Sequence, residues 1–75
     1  MDYVVLVKDI VKDLTEDEFD VVSNDNNITI TVSENDYGKV IGKGGATINA
    51  IRVLVDETAT LHNDSFIKVE VEKKD

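Results

Sequence analysis

The residues with the clearest chemical potential are four consecutive positions, Gly42-Lys43-Gly44-Gly45. Glycine has no Cβ, so its backbone can approach an anion closely. A predicted helix begins directly after this loop, and the free N–H groups at a helix N-terminus favour negative charge. Lys43 adds a positive charge within the loop, and Lys39, one turn earlier, can reach the same region. The spacing therefore predicts a phosphate-binding loop.

Two other phosphate-binding motifs do not fit this segment. A Walker A loop that started at Gly38 would need its second glycine at Lys43. A dinucleotide fingerprint that started at Gly42 and Gly44 would need a glycine at Thr47. Both motifs follow a strand, whereas this loop follows a predicted helix. The alternative is a simple tight turn between two helices, although one glycine usually suffices for that.

The charges of the chain are segregated around the loop. The formal net charge is -8, from 16 acids and 8 bases, whereas nucleic-acid binders are usually basic. No acid occurs between Asp36 and Asp56, and that window holds Lys39, Lys43 and Arg52. The window is therefore locally positive, and the acids of the chain lie outside it.

Hydrophobic spacing predicts the elements that position the loop, because apolar residues recur with a helical period in some segments and alternate in others. The predicted order is α-β-β-α-α-β, over residues 3 to 14, 19 to 23, 27 to 33, 34 to 41, 46 to 59 and 66 to 72. The loop lies between the last two helices. The whole chain, residues 1 to 75, is expected to form one domain.

This order predicts an α+β fold with a three-stranded mixed sheet that helices cover on one face. The first two strands form an antiparallel hairpin, and the last strand returns after a helical crossover to lie parallel to residues 27 to 33. The other face of the sheet is polar and can face water. Ser33 is expected to cap the helix of residues 34 to 41, with Asp36 as its partner in a loose capping box.

Composition and motif content argue against several other classes of protein. The chain has no cysteine, so disulfides and thiolate metal sites are excluded. Its apolar runs are far shorter than the ~20 residues of a membrane helix, and its acidic start lacks a signal-peptide n-region. His62 has no positioned partner, and the acidic residues 16 to 20 lack the spacing of a calcium loop. We therefore expect a cytoplasmic, non-enzymatic protein without a cofactor or a metal.

Residues 40 to 51, Val-Ile-Gly-Lys-Gly-Gly-Ala-Thr-Ile-Asn-Ala-Ile, resemble the V-I-G-x-x-G-x-x-I-x-x-I signature of KH domains. In that family the G-x-x-G loop clamps the backbone of about four single-stranded nucleotides. The predicted element order matches the type II topology of bacterial KH proteins. Residues 38 to 45, the Ala50-Ile51-Arg52 triplet and the valine-rich last strand also resemble KhpA, a family of small bacterial proteins with a single KH domain.

The position of Lys39 near the loop and the resemblance together indicate a set of candidate RNA-binding residues: Lys39, Val40, Ile41, Gly42, Lys43, Gly44, Gly45, Ile48 and Arg52. The residues of the loop would contact the RNA backbone. The apolar members would shape the groove for the bases or the core beneath it. For Arg52, a surface ion pair with Asp56, four residues later, is an alternative to RNA contact.

Two positions depart from the family pattern. The family often has a basic residue directly after the loop and another further along that helix, where this chain has Ala46 and Asn49. RNA affinity should therefore be weak. A plot of the logarithm of RNA affinity against the logarithm of salt concentration has a slope of about −0.7 for each phosphate contact. With about two or three phosphates neutralised, we expect a slope of only about −1.5 to −2.

The resemblance also implies partners and a role. These are single-stranded RNA, RNA-chaperone or regulatory work in the bacterial cytoplasm, and either a homodimer or a heterodimer with a second KH protein of the KhpB (Jag) type. The alternative is a KH-fold module for protein–protein contact or dimerisation in which RNA binding is weak or lost. The net charge of -8 favours that alternative, and the intact glycine loop opposes it.

Overall fold

The computed structural model describes residues 1 to 74 and confirms the predicted order of elements. They are α1 (Tyr3–Val11), β1 (Asp20–Asn24), β2 (Asn27–Val32), α2 (Glu34–Ile41), a 3-10 turn (Lys43–Gly45), α3 (Ala46–Leu61) and β3 (Lys68–Lys73). Three boundaries differ from the prediction by two residues or more, and the other differences are of one residue. Helix α1 ends before residues 12 to 14, which form turns, helix α3 continues two residues further, to Leu61, and β3 begins two residues late, after the exposed Phe66.

The sheet is mixed, as predicted, and its strands lie in the order β1-β2-β3. β1 pairs antiparallel with β2, so that Val21 lies opposite Ile30. β3 pairs parallel with β2, so that Val69 lies beside Ile28. Because side chains alternate along a strand, these four apolar residues fall on one face of the sheet.

The hydrophobic core lies between this face of the sheet and the helices. Its buried members are Val7, Val11, Val21, Ile28, Ile30, Val32, Val40, Ile48, Ile51, Val55 and Val69. Each of the three helices contributes to this set, so the position of each helix depends on the same core. Within residues 1 to 74, the helices lack the length and apolar composition that a membrane span requires.

The opposite face of the sheet is not covered by any helix of the described residues. The register brings together the outward residues of all three strands, which we call the open sheet face: Asp20, Val22, Asn24, Asn27, Thr29, Thr31, Lys68, Glu70 and Glu72. Three of these nine residues are acidic and one is basic, Lys68, whose Nζ lies 3.0 Å from Glu70 Oε1. Val22 is 58% exposed. The polar face predicted from the sequence is therefore confirmed, and it is negatively charged.

A buried carboxylate joins α2 to the turn that follows α1. Asp36 is completely buried, and it accepts hydrogen bonds from the backbone N–H groups of Glu16 at 3.1 Å and Asp17 at 2.8 Å. Ser33 caps α2 as predicted, since its Oγ accepts from the Asp36 N–H at 3.2 Å. The other half of the predicted capping box is wrong. The Asp36 carboxylate turns to residues 16 and 17, because a buried carboxylate needs donors and the acidic turn supplies two.

The surroundings of Asp36 also set its acidity. Burial by itself would raise the pKa of Asp36, because it penalises the charged form. The hydrogen bonds from the N–H groups of Asp17 and Glu16, together with the Lys39 ammonium, outweigh burial and hold the pKa below its ordinary value of 3.8. The carboxylate is therefore charged at neutral pH and contributes to stability in that form.

We expect Asp36→Asn to lower the free energy of unfolding at neutral pH, because an amide cannot accept all the bonds of the carboxylate. A pKa that is lowered in the folded state gives stability above the unfolded-state value of about 3.9, and this stability is lost as the pH falls through the folded-state pKa. Urea unfolding followed by circular dichroism should show the gap between the two proteins closing below about pH 4. A gap that stays constant down to about pH 2.5 would contradict this account of Asp36.

Candidate nucleic-acid interface

The glycine loop, Gly42 to Gly45, carries the chain from α2 into α3. Three of its residues have positive φ angles, which are 79° for Gly42, 62° for Gly44 and 81° for Gly45. The Gly42 N–H closes α2 by donating to the Gly38 carbonyl at 2.8 Å, and the Gly45 N–H donates to the Gly42 carbonyl at 3.1 Å. The loop is therefore held by its own backbone bonds without any ligand.

Gly42 and Gly44 are required for different reasons. Gly42, with φ 79° and ψ 170°, lies in a region that is essentially restricted to glycine. A Cβ on Gly42 would lie 2.2 Å from Thr47 Oγ1 and 2.7 Å from the Thr47 backbone nitrogen. At Gly44, by contrast, no atom lies within 4 Å of the Cβ position. The half-buried Gly42 thus packs against Thr47, whereas the space above Gly44 is open to a ligand.

The N-terminus of α3 differs from the N-termini of the other two helices. The Asp2 side chain caps α1, and Ser33 caps α2, which also has acids in its first turn. Helix α3 begins after Gly45 with no side-chain cap and no acid in its first turn. Because α3 is 16 residues long, the positive end of its dipole lies at the glycine loop without a side chain to offset it.

The two lysines of the candidate site are in different environments. Lys43 is exposed and forms no ion pair with the acids of residues 1 to 74. Lys39 Nζ lies 2.8 Å from Glu16 Oε1 and 3.5 Å from Asp36 Oδ1. The bond to Glu16 raises the pKa of Lys39, partial burial opposes this, and the charges of Glu16 and Asp36 add to the rise. Lys39 is thus positively charged but paired with two carboxylates.

Arg52 joins α3 to the sheet. Its Nε donates to the Val69 carbonyl at 3.1 Å, and its Nη1 lies 3.4 Å from Asn49 Oδ1. The surface pair with Asp56 that the sequence left open is not found among residues 1 to 74. Arg52 remains exposed, so part of its guanidinium stays accessible to a ligand.

The apolar members of the candidate set divide between core and surface. Val40 is fully buried and Ile48 is 3% exposed, so both belong to the core. Ile41 is half-buried at the end of α2, directly before the loop. In this conformation Ile41 therefore offers more surface for a base than Val40 or Ile48.

Sequence reasoning missed two tertiary contacts near the candidate site, those of Asp36 with residues 16 and 17 and that of Thr47 with Gly42. The partners of Asp36 lie about twenty residues earlier in the chain, a separation that no local pattern shows. One signal was present, because Asp36 precedes the buried Val40 by one helical turn and so lies on the inward face of α2. No local pattern indicates that the Thr47 side chain packs over Gly42.

The fold and the glycine loop together define a KH domain, in which a G-x-x-G loop joins two helices on a three-stranded mixed sheet. Residues 5 to 72 match the family model described as KhpA/KhpB, KH domain, and the chain belongs to that family. It is 39% identical over 69 residues to the RNA-binding protein KhpA of Chlamydia trachomatis serovar D. The aligned region covers 89% of this chain and 85% of that protein. No solved structure matches the chain significantly.

The contrast between the glycines predicts three different effects of alanine. Gly42→Ala should lower the free energy of unfolding by at least about 2 kcal/mol, because it adds a clash with Thr47 to a strained backbone. Gly44→Ala should lower it by about 1–2 kcal/mol, through strain alone. Gly38→Ala lies within α2 with open space around it and should be stabilising by about 0.5–1 kcal/mol. Urea unfolding followed by circular dichroism measures all three, and equal losses for Gly42→Ala and Gly44→Ala would contradict the loop geometry.

Proposed function

We propose that this protein binds short single-stranded RNA through the glycine loop and does so without catalysing a reaction. The observation that carries the proposal is the open surface at Gly44, beside the exposed Lys43 and at the uncapped start of α3. Backbone N–H groups, a lysine and the positive end of a helix dipole suit a phosphate at this position. Membership of the KhpA/KhpB KH-domain family supports the proposal, as does the 39% identical relative that is named an RNA-binding protein.

The charge distribution favours the helical side of the molecule over the sheet. The open sheet face carries Asp20, Glu70 and Glu72, which repel phosphates, and it bears no aromatic residue for stacking a base. RNA-recognition sheets use such aromatic residues as their platform. The RNA backbone would therefore run over the glycine loop, with bases against the half-buried Ile41.

The same geometry predicts weak binding with a shallow dependence on salt. Of the three bases near the loop, Lys39 is paired with two acids, and Arg52 is bonded to the Val69 carbonyl. Contacts from Lys43 alone or from Lys43 with Arg52 give a slope of about −0.7 to −1.4 for a single strand. This is shallower than the value expected from the sequence, because pairing removes Lys39 from the count.

We further propose that residues 1 to 75 act as a single KH domain in the bacterial cytoplasm, as an RNA chaperone or a post-transcriptional regulator. One weak site gains affinity when a second site is linked to it. A homodimer, or a heterodimer with a second KH protein of the KhpB (Jag) type, would supply that second site. The proposal involves no cofactor.

A second candidate function is a protein–protein module, and one surface favours it. Val53 is 55% exposed, Leu54 41% and Leu61 82%. Leu54 and Leu61 are seven residues apart and therefore lie on one side of α3, away from its buried residues, while Val53 lies about 100° from Leu54 around the helix axis. Exposed apolar side chains of this kind suit a protein partner, whether or not RNA also binds. Because a dimer interface and an RNA site can coexist, these residues by themselves do not displace the first candidate.

The test compares Gly44→Asp with Gly44→Asn in binding to a fluorescent single-stranded RNA pool at low salt. Both side chains tolerate the left-handed backbone of Gly44 and project into open space. They have nearly the same shape, so their difference isolates the charge. We expect Gly44→Asn to retain most of the binding and Gly44→Asp to weaken it at least about fivefold, because two like charges about 4 Å apart cost about 1 kcal/mol in water and more near a protein surface. Circular dichroism must first show that both variants are folded.

Equal binding by the two variants would show that the loop is not the phosphate site. A steep salt slope, of about −3 or beyond, would point to more phosphate contacts than this surface provides. Failure of the natural protein to bind RNA even at tens of micromolar would favour the protein–protein module.

A further inference from the structure

Besides the bonds of Asp36, two side-chain contacts connect α2 and its cap to the turn after α1. Ser33 Oγ donates to Asp17 Oδ2 at 2.7 Å. Lys39 Nζ, one turn further along α2, lies 2.8 Å from Glu16 Oε1. With the bonds from the N–H groups of residues 16 and 17 to Asp36, this side of α2 is attached to the acidic turn at several points. We call Glu16, Asp36 and Lys39 the carboxylate latch.

The latch lies where it can control the glycine loop. Helix α2 has eight residues, and an isolated helix of that length is unstable in water, so tertiary contacts must hold it. Asp36 and Gly42 are six residues apart, or about 9 Å along the helix. Val40 is buried on the same side of α2 as Asp36, one turn nearer the loop, and Lys73 Nζ lies 4.8 Å from the centre of the Tyr37 ring. The latch fixes the first turn of α2, so a shift of α2 there would move the start of the loop.

We propose that the carboxylate latch positions the glycine loop for RNA, and that Lys39 acts through the latch as a positioning residue and does not touch phosphate. The inference rests on the proposed RNA-binding function. It assigns a task to the one acid of the described chain that is fully buried. It also accounts for the orientation of Lys39, which lies one turn before the glycine loop but contacts the carboxylates of Glu16 and Asp36.

The competing account is that Lys39 is an RNA ligand that two acids partly neutralise. In that account, removal of a neighbouring acid frees the lysine and strengthens RNA binding. In the latch account, removal of the same acid loosens α2 and weakens RNA binding. Asp36→Asn removes a negative charge at this point, so the two accounts predict changes of opposite sign.

The first measurement uses protein without RNA. The chain has four glycines, whose amide signals are readily followed by nuclear magnetic resonance in labelled protein. Asp36→Asn should shift the signals of Gly44 and Gly45, although both lie more than one helical turn from the substitution. Glu34→Gln is the matched control, because it removes an exposed acid from the first turn of the same helix. Equal, negligible shifts in the two variants would overturn the proposal.

The second measurement is RNA affinity at a temperature where all variants are folded. Asp36→Asn should weaken binding about three- to tenfold, whereas Glu34→Gln should leave it unchanged or slightly stronger. Tighter binding by Asp36→Asn would overturn the latch account.

Lys39→Met, which keeps the apolar stem and removes the charge, tests the same point if Asp36→Asn does not fold. It should shift the loop glycines and weaken binding while the salt slope stays the same. A slope that flattens by about 0.7 would identify Lys39 as a phosphate contact and contradict its assigned role. If the natural protein binds no RNA, the proposed function fails, yet the glycine signals still show whether the latch positions the loop.

Discussion

The close approach of Gly42 to Thr47 is the constraint on which the candidate site depends. Helices α2 and α3 must both bury residues in one core, Val40 from the first and Ile48 from the second, and only four residues join them. The chain can turn this tightly because Gly42 has no Cβ where the Thr47 side chain packs. The same turn leaves Gly44 exposed and the N-terminus of α3 uncapped. The packing of Gly42 against Thr47 thus leaves exposed the surface that we propose as the phosphate site.

The acidic character of the chain is compatible with this surface because the charges are placed unevenly. Acids occupy the open sheet face and the turn at residues 16 to 20, while the start of α3 has none in its first turn. The repulsion between acids and phosphate falls with distance and is screened by salt. In the proposed function, RNA would therefore approach one side of the molecule. Because few free bases lie there, its affinity would come from backbone N–H groups and from avidity more than from charge.

Much of the fold could be predicted from the sequence, because its signals are local. The alternation of Ile28, Ile30 and Val32 with threonines predicted β2, and α2 begins and ends as expected because Ser33 caps it and Gly42 terminates it. The parallel pairing of β3 followed from the length of the crossover. The end of α1 was placed three residues late, since Leu14 continues the apolar spacing although the chain there forms turns.

The side-chain partners within the site could not be predicted in the same way. The pairing of Lys39 with Glu16, and of Asp36 with the N–H groups of residues 16 and 17, joins segments about twenty residues apart. The sequence shows that Lys39 is positively charged and close to the loop in the chain. The orientation of its side chain, however, depends on how the turn after α1 packs on α2. The contact of Arg52 with the Val69 carbonyl likewise depends on the docking of α3 against β3. The residue types of the candidate site could thus be identified from the sequence, whereas the orientation of their side chains is set by the tertiary structure.

The central claim is that RNA binds at the glycine loop, and a titration of isotope-labelled protein with a short single-stranded RNA tests it most directly. Amide signals in nuclear magnetic resonance report each residue separately. The account predicts that the signals of Lys43, Gly44 and Gly45 shift as RNA is added, while those of Val22 and Thr29 on the open sheet face stay in place. Shifts confined to the open sheet face, with the loop glycines unmoved, would contradict it.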